Sequence, residues 1–404
     1  MEFTKSAPVA DIVGEALSLR ELAEATPHGG AFVVPLLSSR SEHLRGRLRE
    51  PFLTTTRPTR EAARTFGARL ARTHAYAPQG SRSFGCGPAN PHGDTYRLGS
   101  WDLSVCEGTS ATEHSSGDKE SAKRPVIAQH KPEQPAADSH TSTHYPIERN
   151  ASEQHLTDNL LRTTSPQPLR FGEFYSRMRI LPYLPSARDN GSVDAKGARV
   201  IERLCSRLED GDFDSPQPGL IHTSAALIHG DLWSGNVMWI DASSVQHLFA
   251  KGTGNAHPSE RDKDAISATT DDNCELGATK DSGETCVAIE GIGGALGVLT
   301  DNANAFCAPT DSDSNFCVPT DGVMGILIDP VAHGGHAETD LATLTVFSTP
   351  YVDEIYAGYN SVSALAEGWE ERVGLHRLHC LAIHASMFGG SYGRQFVRQA
   401  EHYV

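Results

Sequence analysis

The chain alternates between stretches with a clear apolar rhythm and stretches with none. Residues 13–25 (VGEALSLRELAEA) are helix formers, with Leu17, Leu19, Leu22 and Ala23 recurring near a helical period. Pro27 and Gly29-Gly30 predict the end of that helix. Residues 31–37 (AFVVPLL) predict a short strand. Residues 59–74 predict an amphipathic helix with Ala63, Phe66, Leu70 and His74 on one face. Two further helices are predicted over 172–184 and 194–208. Apolar segments at 225–240 and 323–328 flank polar turns, and 340–347, 352–359 and 368–389 read as largely helical. The order is mixed at the start and helix-rich afterwards, an α+β pattern.

Two stretches lack the rhythm. Residues 103–166 are rich in Ser, Thr, His, Glu, Lys and Pro. Residues 243–322 carry 13 acidic and 4 basic residues, so a net −9 of the chain's −16 sits there. Both have the composition of disorder, and loops this long are uncommon inside compact domains. They read as insertions of 64 and 80 residues, which leaves 260 of the 404 at ordinary density. The second insertion repeats NAFCAPTD (304–311) as SNFCVPTD (314–321), too few copies for a solenoid.

Charge and cysteines narrow the classes. Thirty-five basic against 51 acidic residues argue against a nucleic-acid or anionic-membrane binder. No apolar run approaches the ~20 residues of a membrane span, and the first twenty residues hold no signal-peptide core. Eight cysteines without a CxxC pair fit a reduced, cytoplasmic chain. The spacing of Cys274, Cys286, Cys307 and Cys317 matches no zinc pattern, so free thiols are expected there.

The sharpest chemical signal is LIHGDLWSGNVMW at 227–239. Asp231 and Asn236 are five apart, the spacing of a kinase catalytic loop, where Asp is the base and Asn holds magnesium. A hydroxyl nucleophile needs a carboxylate to orient it and take its proton, and the metal needs hard oxygen ligands. A bare D-x-x-x-x-N is weak; H-G-D-x-x-x-x-N between apolar strands is specific. The second signal is GILIDP at 325–330. Asp329 lies 93 residues after Asn236, and removal of the 80-residue insertion leaves 13, a hairpin distance. The two strands are expected to pair and bring Asp329 beside Asn236.

HGDLWSGN at 229–236 resembles the hallmark of the fructosamine kinase (ketosamine kinase) family, relatives of aminoglycoside phosphotransferases with a protein-kinase-like fold. LIDPVAHGGHAETDLA at 327–342 resembles that family's metal-binding segment and following helix. FYSRMRILP (174–182), LAEGWEER (365–372) and FGGSY (388–392) resemble its central helix and C-terminal signatures. The resemblance implies a two-lobed fold, with residues 1–40 the remnant of an N-lobe and 41–404 a helix-rich C-lobe holding both insertions. It implies transfer of phosphate from ATP, with Mg2+, to a ketosamine on a protein lysine or free amine, followed by loss of the sugar.

By the same resemblance Asp231 is the base, Asn236 and Asp329 are magnesium ligands, and His229 fixes the loop turn. Trp233 contacts the sugar or packs. Asp340 braces the loop, or caps a helix. Phe3-Thr-Lys5 resembles the end of the lysine strand and Glu15 its glutamate partner, both on the ATP side; Lys5 also reads as a frayed terminal lysine. Nothing precedes Met1 to form the family's glycine-rich turn, which predicts a fragment, a mis-assigned start or a truncated variant. Two rival readings follow: a catalytically impaired kinase-like binding module, and an aminoglycoside- or choline-type phosphotransferase. His333 and His336 are three apart, but with no third ligand at a metal spacing they read as loop residues.

Overall fold

With the second insertion taken out of the count, the sequence predicts a hairpin around residues 240 and 323, and the backbone forms it. The computed structural model describes residues 2–88, 96–98, 101–103, 169–243, 287–290, 296–299 and 322–404. Strands are numbered here in chain order: β1 Glu2–Ser6, β2 Phe32–Val33, β3 Arg47–Pro51, β4 Tyr96–Leu98, β5 Trp101–Leu103, β6 Ala226–Ile228, β7 Val237–Asp241, β8 Val287–Glu290, β9 Leu296–Leu299, β10 Val323–Leu327 and β11 His333–Gly335. β10 runs antiparallel to β7, with Val323 opposite Asp241 and Leu327 opposite Val237. Its other edge takes β2 in parallel. The Ala242 amide donates to the Gly322 carbonyl at 2.9 Å, so the chain departs and returns at one hydrogen-bonded pair.

The helices are α1 Val9–Glu24, α2 Arg40–His43, α3 Arg60–Ala75, α4 Phe171–Phe174, α5 Leu184–Asp189, α6 Ala195–Asp210, α7 Ala337–Thr343, α8 Val352–Val362, α9 Trp369–His376, α10 Leu378–Phe388 and α11 Ser391–Glu401. α1 begins earlier than its apolar rhythm predicts, because Pro8 precedes it in an extended conformation and starts the turn. α3 is capped by Thr59, whose side chain accepts from the Ala62 amide. The single helix expected over 172–184 is not one helix. After α4 the chain makes a π-helical turn, Tyr175–Ile180, then a 3-10 turn, Leu181–Tyr183, before α5. Pro182 and Pro185 lack the amides that a continuous α-helix there needs.

Two apolar cores result. One gathers Ile12, Leu19 and Leu22 of α1, Phe66 and Leu70 of α3, the β2–β10–β7 sheet and Tyr359 of α8. The other joins Phe171, Tyr175, Leu204 and Leu208 to Leu378, Ala382 and Phe396. α3 and α8 approach closely because each presents a glycine to the other's backbone. A Cβ on Gly67 would come within 2.0 Å of the Ile355 carbonyl oxygen, and one on Gly358 within 1.9 Å of that of Arg64. Arg60 and Arg64 reach across the same contact to Glu354.

Several expectations need correction. β3 was not foreseen, because RLREP has neither alternation nor β-branched residues. It pairs with β1, with Leu48 opposite Lys5, so a boundary at residue 40 separates two paired strands. The strand expected over 31–37 is only β2. The 243–322 segment, expected to lack regular structure, holds an antiparallel strand pair, β8 with β9. The rest of both insertions, and the octapeptide repeat with its cysteines, lie outside the described residues. So does the partner of Cys86, which is disulfide-bonded, contrary to the fully reduced chain expected. Cys205 and Cys380 are free. Among the described residues no helix is long and apolar enough to cross a membrane.

The contact between Ala242 and Gly322 predicts the outcome of a deletion. Replacing residues 243–321 by Asn-Gly should leave the fold intact, since a two-residue turn suits a hairpin whose ends already meet. Circular dichroism and the melting temperature measure this. A variant that no longer melts cooperatively would mean that the segment is part of a core.

Candidate active site

The loop between β6 and β7 carries His229, Asp231, Trp233 and Asn236. It turns at Gly230, which has φ +82, and a Cβ there would lie 2.2 Å from the Val331 carbonyl oxygen. Glycine therefore meets both the dihedral and the close approach. A 3-10 turn, Ser234–Asn236, returns the chain to β7. The Asn236 side-chain nitrogen donates to the Asp231 carbonyl at 2.8 Å and to Asp231 Oδ2 at 3.1 Å. That leaves the Asn236 side-chain oxygen as the atom available for a hard cation.

A buried carboxylate holds the loop from below. Asp340 is 1% exposed and lies inside α7, not at its N-cap; His336 caps that helix by accepting from the Glu338 amide. Asp340 Oδ2 accepts from the His229 amide at 2.6 Å, and Oδ1 accepts from the Gly230 amide at 3.0 Å. His74 of α3 completes the set, with Nε2 3.1 Å from Oδ2 and Nδ1 3.0 Å from the Tyr359 hydroxyl. Burial alone would raise the carboxyl's pKa, but His74 and the His229 amide favour the anion and lower it. The helix of His74 was foreseen from its periodicity. Its link to Asp340 was not, because no local signal joins residues so far apart in sequence.

His229 ties the loop to Asp329. Its Nε2 donates to the Ile328 carbonyl at 2.9 Å, and the Ile328 amide donates to the Asn236 carbonyl at 3.1 Å. Asp329 follows in the left-handed region, φ 50, which is rare outside glycine and costs backbone strain. Lys5 of β1 then bridges two acids. Its Nζ is 2.8 Å from Glu15 Oε2 and 3.1 Å from Asp329 Oδ1. Burial opposes the charge on Lys5, but the two carboxylates outweigh it and raise its pKa. The structure thus brings Asp231 to Asn236 by hydrogen bond, Asn236 to Ile328 through the backbone, and Asp329 to Lys5 and Glu15.

Two neighbours were missed. Arg179, in the π-helical turn, donates to the Gly230 carbonyl at 3.3 Å. Such turns recur at functional sites, but nothing in the residue pattern marks one. Glu50 of β3 is 5% exposed, and its Oε1 has no hydrogen-bond partner. Burial, then the charges of Glu15 and Asp329, push its carboxyl up to about 8. Trp233 packs edge-on to Phe347, and His384 lies between Phe347 and the exposed Phe388. Asp231 is half-buried beside that wall, and its charge helps burial to push the Cys380 thiol up to about 12.

Comparison with known proteins identifies the likeness. The family model described as Fructosamine kinase matches residues 157–249 and 313–404, on either side of the second insertion. The chain resembles the fructosamine kinases. It is 25% identical over 239 residues to a probable ketoamine kinase of Escherichia coli (strain K12), covering 58% of this chain and 51% of that one. A probable ketoamine kinase of Enterococcus faecium is 31% identical over 78 residues, 19% of this chain and 28% of that protein. The chain thus spans about half or less of the length of these relatives. A solved structure from Thermobifida fusca YX-ER1, described as a "putative fructosamine-3-kinase", aligns with 97% of this chain and 79% of its own at a TM-score of 0.50 and 24% identity. At that identity the likeness is one of fold, a mixed helix and strand architecture.

Two variants test the electrostatics. Asp340→Asn should lower the melting temperature sharply, because breaking a buried charge network costs about 3–5 kcal/mol; an unchanged melt would deny Asp340 its bracing contacts. For Glu50 the sign follows from its raised value. Between 4.5 and about 8 the folded state binds more protons than the unfolded one, so stability falls as pH rises through that window. Glu50→Gln should remove up to about 1.4 kcal/mol of that fall per pH unit. Parallel wild-type and variant pH–stability curves would contradict it.

Proposed function

We propose that this chain transfers the γ-phosphoryl group of ATP to a sugar hydroxyl of a ketosamine, on a two-lobed kinase-like fold. The observation that carries this reading is the single connected set from Asp231 through Asn236 and Ile328 to Asp329, Lys5 and Glu15. A surface turn holding Asp and Asn by chance has no reason to end on a buried lysine–glutamate pair. The donor set also fits magnesium. Asn236 commits its nitrogen to Asp231 and keeps an oxygen, and Asp329 supplies a carboxylate, both hard oxygen donors.

In this reading Asp231 is the base. Its Oδ2 is fixed by Asn236, so the carboxylate can orient the acceptor hydroxyl and take its proton. Asn236 and Asp329 would hold magnesium, which when bound neutralises charge on the transferring phosphates. Lys5, kept charged by Glu15 and Asp329, would pair with the nucleotide phosphates. Trp233 faces the acceptor side and would pack on the sugar. His229 and Asp340 do not touch reactants; they hold the backbone that carries Asp231. Phosphorylated ketosamine would then shed its sugar and free the amine.

An ADP-release assay with ribulosamine and fructosamine acceptors tests the assignment. Asp231→Asn should lower turnover by about 10²–10⁴-fold, the usual worth of a general base, with ATP binding retained. A variant as fast as the wild type would remove Asp231 from the chemistry.

A further inference from the structure

Away from the loop, three buried side chains converge on one point. His336 caps α7, Glu338 stands in the first turn of α7, and His376 closes α9. They are 1%, 5% and 0% exposed. One ligand atom from each lies within 4.8 Å of the others. The two imidazoles lie side by side, ring centroids 4.9 Å apart, and Phe171 closes over both.

His376 Nε2 is the second observation. It is buried without a hydrogen-bond partner, although Glu338 Oε2 lies only 3.3 Å away. Its other nitrogen, Nδ1, is 2.9 Å from Thr339 Oγ1, which fixes the ring. A buried nitrogen that faces a carboxylate without a hydrogen bond is costly unless something sits between them. Ligands about 2.0–2.1 Å from a tetrahedral zinc lie about 3.3–3.4 Å from one another. The nitrogen and the oxygen already stand at that separation.

We propose that His336, Glu338 and His376 form a buried site for a divalent transition metal of the zinc class. Two imidazoles and one carboxylate suit that class better than magnesium or calcium, which take oxygen ligands. Arg372 does not pre-empt the site. It donates to Glu338 Oε2 at 2.8 Å and to Oε1 at 2.6 Å, and each oxygen has a second lone pair. Hydrogen bonds of this kind commonly orient a ligating carboxylate. His336 exchanges one contact on binding, because its Nδ1 accepts from the Glu338 amide at 3.3 Å and its Nε2 lies 3.2 Å from Ser215 Oγ, and one of the two nitrogens must turn its lone pair to the metal.

The sequence hides this set. His333, three residues before His336, turns away to the Val331 carbonyl and Phe174, and the missing partner comes from another helix. Bound metal would join the start of α7, the helix of Asp340, to the end of α9. It would be a structural site, independent of the phosphotransfer reading.

The test uses the full chain, stripped with a chelator and titrated with Zn2+ or Co2+. Wild type should bind one equivalent tightly, show the visible bands of tetrahedral cobalt, and melt higher with zinc. His376→Phe and His336→Phe should each weaken zinc at least about 10–100-fold and lose the cobalt bands. If one variant fails to fold, the other and the wild-type spectrum decide. Absent bands with no zinc-dependent rise in melting temperature would overturn the proposal. So would variants that bind as the wild type does, since metal would then sit on other histidines.

Discussion

The Asp340 carboxylate is the anchor on which the rest of the site depends. It is buried beneath the loop and accepts from two successive backbone amides and from His74. Those amides belong to His229 and Gly230, so the peptide leading into Asp231 has little freedom. The His229 ring extends the anchor to the Ile328 carbonyl, and the next residue is Asp329. From there Lys5 carries the linkage to Glu15 in α1. One buried anion thus positions groups from β1, α1, the β6–β7 loop and the end of β10. Such an anion costs desolvation, and only hydrogen bonds to its charged form make it tolerable in that place.

The sequence displayed parts of this arrangement unevenly. Asp231, Asn236 and Asp329 were legible because a short motif and a residue count sufficed. Once the insertion was discounted, strand pairing between β7 and β10 followed from chain length alone, and the structure shows it. The amphipathic helices were legible through their period; α1 and α3 lie within a few residues of expectation. What was hidden depends on tertiary neighbours. β3 exists because β1 offers it a partner, not because its residues favour strands. The π-helical turn that aims Arg179 at Gly230 leaves no pattern in the side chains. His74 reads as a core histidine until Asp340 is placed beside it.

The second insertion shows why such a long addition is compatible with the site. It enters and leaves where β7 and β10 are already bonded across the sheet. Closing a loop between ends held together costs entropy that grows only with the logarithm of its length. Asn236 and Asp329 lie toward the other ends of these strands, separated from the insertion by five paired residues on each side. The sheet therefore separates the end that carries Asn236 and Asp329 from the added chain. The family match breaks off within the same segment, at 249, and resumes at 313.

Around Lys5 the charges do not balance, and the imbalance bears on how a nucleotide would enter. Glu15 and Asp329 touch the ammonium directly, while Glu50 lies close enough for its carboxyl to be pushed up by both. One oxygen each of Glu15 and Glu50 is buried without a partner. Glu50, pushed up to about 8, is largely protonated at neutral pH, so Asp329 and Glu15 are the carboxylates that a bare triphosphate would meet beside the ammonium. On the proposed reading Asp329 would hold the cation that accompanies the nucleotide, and Lys5 would turn to the phosphates. Lys5 can then exchange one anion for another without leaving Glu15. Asp329 itself stands in the left-handed region, a conformation that persists only where the surrounding structure imposes it, at the end of a strand that packs into the first core.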